Sequence, residues 1–353
     1  MSEYSPFLKL KRGELSALRY LSFEDRRKII PLLEPQRNDK YTDEKLVKTI
    51  DRGIKYFKKY IEHNFFYIDN YEIPDELKLN NKDSYYYLLD IFSDYDMIPV
   101  IGLDRSKSHN DAGLKYANYN TGKIAFRITQ EYINSFLAYA EDFDSMINKL
   151  DSKVSCTVLI DCRYVDDKAI EIIEKNIVDM LEKIRKNKKI NKFVIFGSSI
   201  PEIISEKVKA NTNAYIYRSE VDLFNKIKYI YSNENILFGD YTVLSPDFPE
   251  IKNLPPELYI NVMTSKIIYS QLDSHYFTRG KKIKQHGFEQ YIEQAKDIIK
   301  QPFYRGNNNS WGDNFLYEKV NYGGKNITPS SIIGPTVNAH MKFMIDEVTK
   351  GSL

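Results

Sequence analysis

Acidic side chains end several short apolar runs of this sequence, where they could act together. The runs are PLLE, FYID, VIGLD, VLID and FGDY, and their acids are Glu34, Asp69, Asp104, Asp161 and Asp240. Carboxylates crowded in a partly dry cleft repel one another, which raises the pKa of some of them and suits general acid and base roles. Their oxygens are also ligands that Mg²⁺ prefers. The pattern predicts an acid-lined functional cleft; the alternative is a set of helix caps and loop-fixing ion pairs.

Basic and hydroxyl side chains also stand near the ends of such apolar runs. Arg127 lies in AFRI, and Ser198 and Ser199 lie in FGSSIPE. An arginine in the cleft would hold a phosphate, and backbone N–H groups at a turn before a helix could hold an anion. FGSSIPE is neither a dinucleotide-binding fingerprint, nor a P-loop, nor a GxSxG elbow, so a serine-capped turn is its alternative interpretation.

The runs that position these residues predict a (β/α)₈ TIM-barrel-like fold of the α/β class. Eight short apolar runs alternate with amphipathic stretches: Phe7–Leu10, Ile29–Glu34, Phe65–Asp69, Met97–Gly102, Ile124–Ile128, Thr157–Asp161, Phe193–Gly197 and Ile236–Tyr241. Several are apolar throughout, as expected for parallel strands covered on both faces. In such a barrel the carboxyl ends of the strands share one surface, where active sites are built. A ninth run, Ala214–Tyr217, leaves open whether it or the first run is an extra strand.

Beyond Pro246 the pattern changes. Residues 259–280 predict a hairpin, residues 288–299 a helix, residues 304–314 a turn-rich loop, and Val337–Val348 a last helix. We therefore expect a barrel over residues 1–250 and an α+β extension over residues 251–353 that packs on it.

Composition excludes several classes. With 51 basic and 49 acidic residues the net charge is +2, so no global field indicates nucleic acid or membrane. No apolar run approaches the roughly 20 residues of a membrane span, and the start lacks a signal-peptide core, so we expect a cytoplasmic protein without a membrane partner. The five histidines avoid the strand ends, which argues against a zinc site of the barrel metallohydrolase type.

Two cysteines and two basic clusters each have two interpretations. Cys156 and Cys162 lie on one strand, roughly 20 Å apart and too far for a disulfide; they are either small buried residues or, at Cys162 beside Asp161, a reactive thiol. The basic cluster at 183–192 closes a helix and indicates a solvated face. That at 279–287 follows Tyr276 and Phe277, and such a mixture could bind single-stranded nucleic acid.

Several short motifs, in order, resemble the phage beta protein family over nearly the whole chain. They are YSPFLKLKRGELSAL, IIPLLE, FGSSIPE and FGDY, followed by Arg279-Gly280, Ser310-Trp311-Gly312-Asp313 and Asn338-Ala339-His340. The ending departs from the family pattern, with Ala339 where a first histidine would stand. The resemblance implies a barrel-like fold and an association with phages or with bacterial genes that respond to them, including anti-phage defence. It implies no reaction.

Two functional hypotheses follow. In the first, the chain is an enzyme for a phosphorylated or nucleotide-like ligand, with Mg²⁺ as a possible cofactor. Its catalytic candidates are Glu34, Asp69, Asp161, Asp240 and His340, and its ligand-binding candidates are Arg127, Ser198, Arg279 and Asp313. A glycosidase, which needs only two suitably spaced carboxylates, is the rival within this class. In the second, the chain is a non-catalytic recognition protein whose extension binds a phage or host protein or nucleic acid.

Overall fold

Eight parallel strands close into a barrel. The computed structural model describes residues 3–36, 42–60, 64–74, 76–79, 81–247 and 261–353. Its strands are β1 (Ser5–Lys9), β2 (Leu32–Glu34), β3 (Phe66–Ile68), β4 (Lys78–Leu79), β5 (Lys82–Asp83), β6 (Met97–Gly102), β7 (Lys123–Thr129), β8 (Ser155–Tyr164), β9 (Ile190–Ser198), β10 (Thr212–Tyr217), β11 (Ile236–Asp240), β12 (Thr264–Ser270) and β13 (Ser274–Lys282). The barrel order is β1-β2-β3-β6-β7-β8-β9-β11, and β11 pairs back to β1. The predicted (β/α)₈-type fold is confirmed, and each of the eight runs supplies one barrel strand.

Strand alternation decides which side chains fill the barrel. One set of positions forms an interior cluster that includes Phe7, Leu32, Tyr67, Val100, Ala125, Leu159, Val194 and Tyr241. The alternate positions face outward and join the larger core under the helices. Both faces of each strand are therefore buried, which explains the continuous apolar runs.

Helices follow most of the strands. Those before the extension are α1 (Arg12–Arg19), α2 (Phe23–Arg26), α3 (Asp43–Tyr60), α4 (Ser84–Ile91), α5 (Lys107–Tyr116), α6 (Gln130–Asn134), α7 (Phe136–Asn148), α8 (Ile170–Ile184) and α9 (Ser219–Ile230). Ser22, Asp83 and Ser106 cap α2, α4 and α5 by accepting backbone N–H bonds from their first turns. Helical spacing of apolar residues predicts α3 and α8, and the structure buries these stripes. They are Leu46, Ile50, Ile54 and Phe57 in α3 and Ile170, Ile173, Ile177, Leu181 and Ile184 in α8. The predicted stripe of α3 also includes Ile61, which lies outside the described residues.

The ninth run is the extra strand. β10 pairs antiparallel with β13, and β13 pairs with β12 as the predicted hairpin, which makes a three-stranded sheet outside the barrel. The helices α10 (Ile283–His286), α11 (Gln290–Ile299), α12 (Trp311–Tyr322) and α13 (Ile333–Lys350) complete the extension. The predicted loop ends inside α12, a helix that its Gly312, Asp313 and Asn314 concealed because these residues are weak helix formers.

The extension packs on the barrel through α13, which contacts α1, α12 and β12. Asn338 on α13 links two of these elements, because its Oδ1 accepts the Gly312 N–H at 3.0 Å and its Nδ2 donates to the Ala17 carbonyl at 2.9 Å. Residues of three family-like motifs therefore meet at one junction. Within the described part of the chain, no helix is both long and apolar enough to span a membrane.

Candidate functional site

One buried arginine gathers three of the predicted acids at the barrel mouth, the end where the carboxyl ends of the strands meet. Arg127 on β7 donates from Nε and Nη2 to Asp161 Oδ2 at 2.9 and 2.5 Å. Its Nη1 donates to Asp69 Oδ2 at 2.9 Å and to Glu34 Oε1. All four side chains are at most 2% exposed. We call these residues the arginine cluster.

A second ring of charges surrounds the arginine cluster. Arg105 binds Asp69 at 2.7 Å and also Asp104, whereas Lys9 Nζ lies 2.7 Å from Glu34 and 2.6 Å from Glu72. Sequence reasoning missed Lys9, Arg105 and Glu72. Lys9 could have been found, because it lies two residues after the interior Phe7 and so faces the same side of the strand.

A third arginine, Arg163, reaches the mouth through strained backbone. Arg163 has φ 49°, in the left-handed region, at an irregularity of β8 that follows Asp161. Its Nη2 lies 2.8 Å from Asp247 Oδ1. Left-handed φ in a non-glycine residue costs energy and is concentrated at functional sites, which supports a role for this end of the barrel.

Two tyrosines complete the mouth. The hydroxyl of Tyr241 donates to Asp161 at 2.7 Å, and burial together with Asp161 raises the pKa of Tyr241 well above its ordinary value. The half-buried ring of Tyr71 lies against three guanidinium groups, 4.6 Å from Arg105, 4.7 Å from Arg127 and 5.5 Å from Arg163. Tyr71 therefore covers the cations by cation–π contact.

The arginine cluster holds Asp69 and Asp161 ionised. Burial would raise the pKa of Asp69, but Arg105 and Arg127 outweigh burial and lower it. Burial is likewise outweighed at Asp161, where Arg127 and Arg163 lower the pKa. The raised pKa values expected for crowded acids are therefore not found at these two carboxyls. The cation between them also occupies the space that a glycosidase leaves for its sugar.

Asp240 and His340 lie together, but outside the barrel interior. His340 Nε2 is 2.8 Å from Asp240 Oδ2, which Arg218 Nη2 also binds at 3.0 Å, and Tyr4 donates to Oδ1. His340 Nδ1 lies 2.6 Å from Ser270 Oγ, and that oxygen lies 2.9 Å from His275 Nδ1. We call Asp240, His340, Ser270 and His275 the histidine series.

The histidine series has the residue types of a nucleophilic triad, but no substrate can reach it. Ser270 and His340 are each 1% exposed, and two histidines share the serine oxygen. Burial lowers the pKa of His340 against the effect of Asp240, so the ring is neutral. The series joins β11 of the barrel to β12, β13 and α13 of the extension.

The remaining predicted residues are dispersed. Ser198 Oγ donates to the Leu244 carbonyl at 3.2 Å and accepts the Ile200 N–H at 3.1 Å, which fixes a turn that leads into a short 3₁₀ segment, Ile204–Glu206. Ser199 donates to buried Glu220. Asp313 is buried within the extension, where it accepts bonds from Tyr269, Ser310 and Asn309.

A cleft runs from the barrel mouth to the extension. Its inner pocket, about 200 Å³, is lined by Lys9, Lys11, Glu14, Glu72 and Tyr241 among others. It continues into an apolar groove of about 520 Å³ between the turn at 202–205 and the extension. Lys266 lines both parts, and Arg279 lines the groove.

Lys266 and Arg279 are neighbouring cations of adjacent strands, in register between β12 and β13. Arg279 donates to Thr264 Oγ1 at 3.1 Å and to the Val208 carbonyl. Burial lowers the pKa of Arg279; burial and then Arg279 lower the pKa of Lys266. No acid of the described residues pairs with either cation, so they form a cationic pair that an anion would neutralise.

Metal and nucleic-acid sites receive less support. Among the described residues no group of three or more histidines, cysteines or acids could hold a metal ion. Tyr276 and Phe277, which could stack on bases beside the basic cluster at 279–287, are 5% and 0% exposed. The aromatic half of that interpretation is therefore buried in the core.

Comparison with known proteins gives one family. Residues 4–346 match the model of a family described as Beta protein. No curated protein matches the chain. The matched range includes the arginine cluster, the histidine series and the cationic pair.

Proposed function

This chain belongs to the Beta protein family, and we propose that it binds and acts on a small phosphorylated or nucleotide-like ligand in the cleft between barrel and extension. The cationic pair of Lys266 and Arg279 carries the proposal. It lines a concave space and has no acid partner among the described residues. Like charges on directly opposed residues destabilise a sheet, and a phosphate between them would replace repulsion by charge-assisted hydrogen bonds.

The inner pocket offers the groups for chemistry. Burial opposes a charge on Lys9, but Glu34 and Glu72 outweigh burial and raise its pKa, so the side chain stays an ammonium ion. An ammonium fixed by two carboxylates stabilises negative charge that develops on a reacting group. Glu72, on the far side of Lys9, lines the same pocket and pairs with Lys9 Nζ at 2.6 Å, so its role in this proposal is to hold the ammonium in place.

The arginine cluster then has a supporting role. Each of its acids contacts a guanidinium, so these acids position their neighbours instead of exchanging protons with the ligand. Glu34 positions Lys9, Asp161 positions Tyr241 and Asp69 positions Arg105. In this proposal Mg²⁺ would arrive with the ligand's phosphate, as is common for phosphate substrates. The association with phages belongs to the proposal on the strength of the family resemblance, and the cytoplasmic location expected from the sequence pattern belongs to it as well.

A recognition protein is the second candidate. Its specific observation is the exposed edge strand β10, where Tyr215 and Tyr217 are 58% and 52% exposed. Tyrosine is enriched at protein interfaces, and an unpaired strand edge can accept another strand. In this candidate the barrel is a scaffold, and the partner is a phage or host protein.

A thermal-shift screen separates the candidates. Purified full-length protein is heated with inorganic phosphate, sugar phosphates and nucleotides, each with and without Mg²⁺. Ligand at ~100 Kd adds roughly 2.7 kcal/mol of stability. We expect a shift with a phosphorylated compound that is lost in the Lys266→Ala, Arg279→Ala variant and kept in Lys281→Ala, an exposed lysine of the same strand.

Two results would contradict the proposal. A shift of the same size in the double variant would place the anion elsewhere and overturn the proposal. If no phosphorylated compound shifts the wild type, the recognition candidate is favoured, and its test is recovery of a stoichiometric partner that Tyr215→Ser, Tyr217→Ser abolishes.

A further inference from the structure

The groove beside the cationic pair is far more apolar than a phosphate site needs. Its walls include Ile203, Val262, Met263, Ile267, Ile332 and Ile333. Three of these side chains are substantially exposed: Ile203 by 48%, Val262 by 47% and Met263 by 39%. Large apolar side chains grouped around one groove, with cations at one place along it, are typical of a ligand-binding site.

We propose that the ligand is an amphiphilic anion, with a phosphate or carboxylate head on Lys266 and Arg279 and an alkyl chain along the apolar groove. The inference rests on the proposed function and narrows its ligand class. The groove volume of about 520 Å³ lies within the range of small-molecule sites. The anionic head would contact the two cations, and the alkyl chain would contact Ile, Val and Met side chains.

Hydrogen bonding favours an alkyl chain over a nucleobase. A base is recognised by donors and acceptors aimed at its edges, and both threonine hydroxyls of the groove already have hydrogen-bond partners. Thr336 Oγ1 donates to the carbonyls of Ile332 and Ile333, and Thr264 Oγ1 accepts from Arg279. Burying a base against these side chains would leave its polar groups unpaired, whereas an alkyl chain has none.

A chain-length series tests the inference. Ethyl, butyl, hexyl and octyl phosphate, each below its micelle concentration, are titrated calorimetrically into full-length protein, with AMP as the nucleotide of equal head charge. We expect Kd to fall by about fourfold per methylene until the groove is filled. AMP should bind more weakly than hexyl phosphate.

Variants separate the head from the chain. Lys266→Ala, Arg279→Ala should weaken every member of the series by a similar factor, whereas Ile203→Ser, Met263→Ser should reduce the gain per methylene and leave ethyl phosphate unchanged. Both wall residues are exposed, so these changes are compatible with folding. Lys281→Ala is the matched control and should behave as wild type.

Failure of the inference differs from failure of the proposed function. Equal Kd values along the series, or AMP binding tighter than octyl phosphate, would overturn the amphiphile and leave the anion site standing. If neither phosphates nor AMP bind, both fail. Sedimentation with phosphatidate vesicles, without binding of any free alkyl phosphate, would point to a membrane surface and overturn a free amphiphile in the cleft.

Discussion

His340 Nε2 lies 2.8 Å from Asp240 Oδ2, and this contact joins the last helix to the strand that closes the barrel. Asp240 also binds Arg218 and Tyr4 and accepts the Thr242 N–H at 2.9 Å. Thr242 has φ 58°, an unfavourable conformation for a β-branched residue. The junction therefore concentrates buried charge and backbone strain, and its partners depend on one another.

Removing the Asp240 charge should strongly destabilise the protein. Asp240→Asn leaves the fully buried Arg218 with Glu220 as its remaining acid, and breaking a buried pair typically costs about 3–5 kcal/mol. Urea unfolding followed by circular dichroism measures the loss. Asp273→Asn, at an exposed aspartate nearby, is the control, and equal midpoints for the two variants would contradict the assigned role.

Acid should weaken the fold before its carboxylates titrate. Burial lowers the pKa of His275 and His340, and burial with Arg105 lowers that of His109 to about 4. The unfolded chain, with histidine pKa near 6.5, then binds protons more readily, so stability falls as the pH drops from about 6.5 towards the folded pKa.

The effect is up to ~1.4 kcal/mol per pH unit for each histidine. Urea unfolding at pH 7, 6 and 5 measures it. His340→Gln should flatten the dependence, whereas the exposed His286→Gln should leave it as in the wild type. A wild-type stability that is constant over this range would refute the prediction.

Loss of Arg127 should be most harmful at neutral pH. Arg127→Met leaves Glu34, Asp69 and Asp161 close together without their shared cation, so their negative charges repel one another. Protonation of these acids removes the repulsion. The destabilisation of the variant should therefore be about 3–5 kcal/mol at pH 7 and smaller at pH 4.5. Arg185→Met, at the residue that follows α8, is the control. A loss that is equal at both pH values would argue against mutual repulsion of the acids.

Neither cysteine should react while the protein is folded. Cys156 and Cys162 are 0% exposed, burial raises the pKa of Cys156 to about 12, and burial with Asp161 raises that of Cys162. Thiolate is the reactive form, so a thiol reagent should label two groups in urea and none in buffer. Rapid labelling of Cys162 in buffer would restore the reactive-thiol interpretation.

Gly312 should not tolerate a side chain. A Cβ there would lie 1.9 Å from the Pro335 carbonyl oxygen and 2.9 Å from the Ala339 Cβ. Gly312→Ala should therefore separate α12 from α13 and cost more than ~2 kcal/mol, within the range of overpacked sites. Asn314→Ala, two residues further along the same helix, is the control for helix propensity. Thermal unfolding of both variants measures the difference.

The sequence predicts the barrel and the acids of the mouth because these residues lie on strands, where side chains alternate between the two faces. Glu34, Asp69 and Asp161 stand two positions after interior Leu32, Tyr67 and Leu159, so their inward direction follows from the period of two. The charges that accompany them arrive from loops, as Arg105 and Glu72 do, and loop geometry is not encoded in such a pattern.

The direction of the Asp240 side chain could not be predicted in this way. In FGDY the residue before Asp240 is glycine, so no side chain marks the inward position, and Tyr241 takes it instead. The outward direction of Asp240, and hence its contact with His340 a hundred residues later, depends on tertiary packing. Lys266 and Arg279 likewise become neighbours only through the hairpin register.

Strand β10 lies between barrel strands β9 and β11 in the sequence but outside the barrel, and among the described residues its one strand partner is β13. During synthesis on the ribosome, the sequence of every barrel strand therefore emerges before β10 can be paired. The nascent chain must carry an open strand with Tyr215 and Tyr217 on it until Ser274–Lys282 has left the exit tunnel. Premature pairing of this edge with a neighbouring chain is the hazard of that interval, and pairing of β10 with β13 ends it.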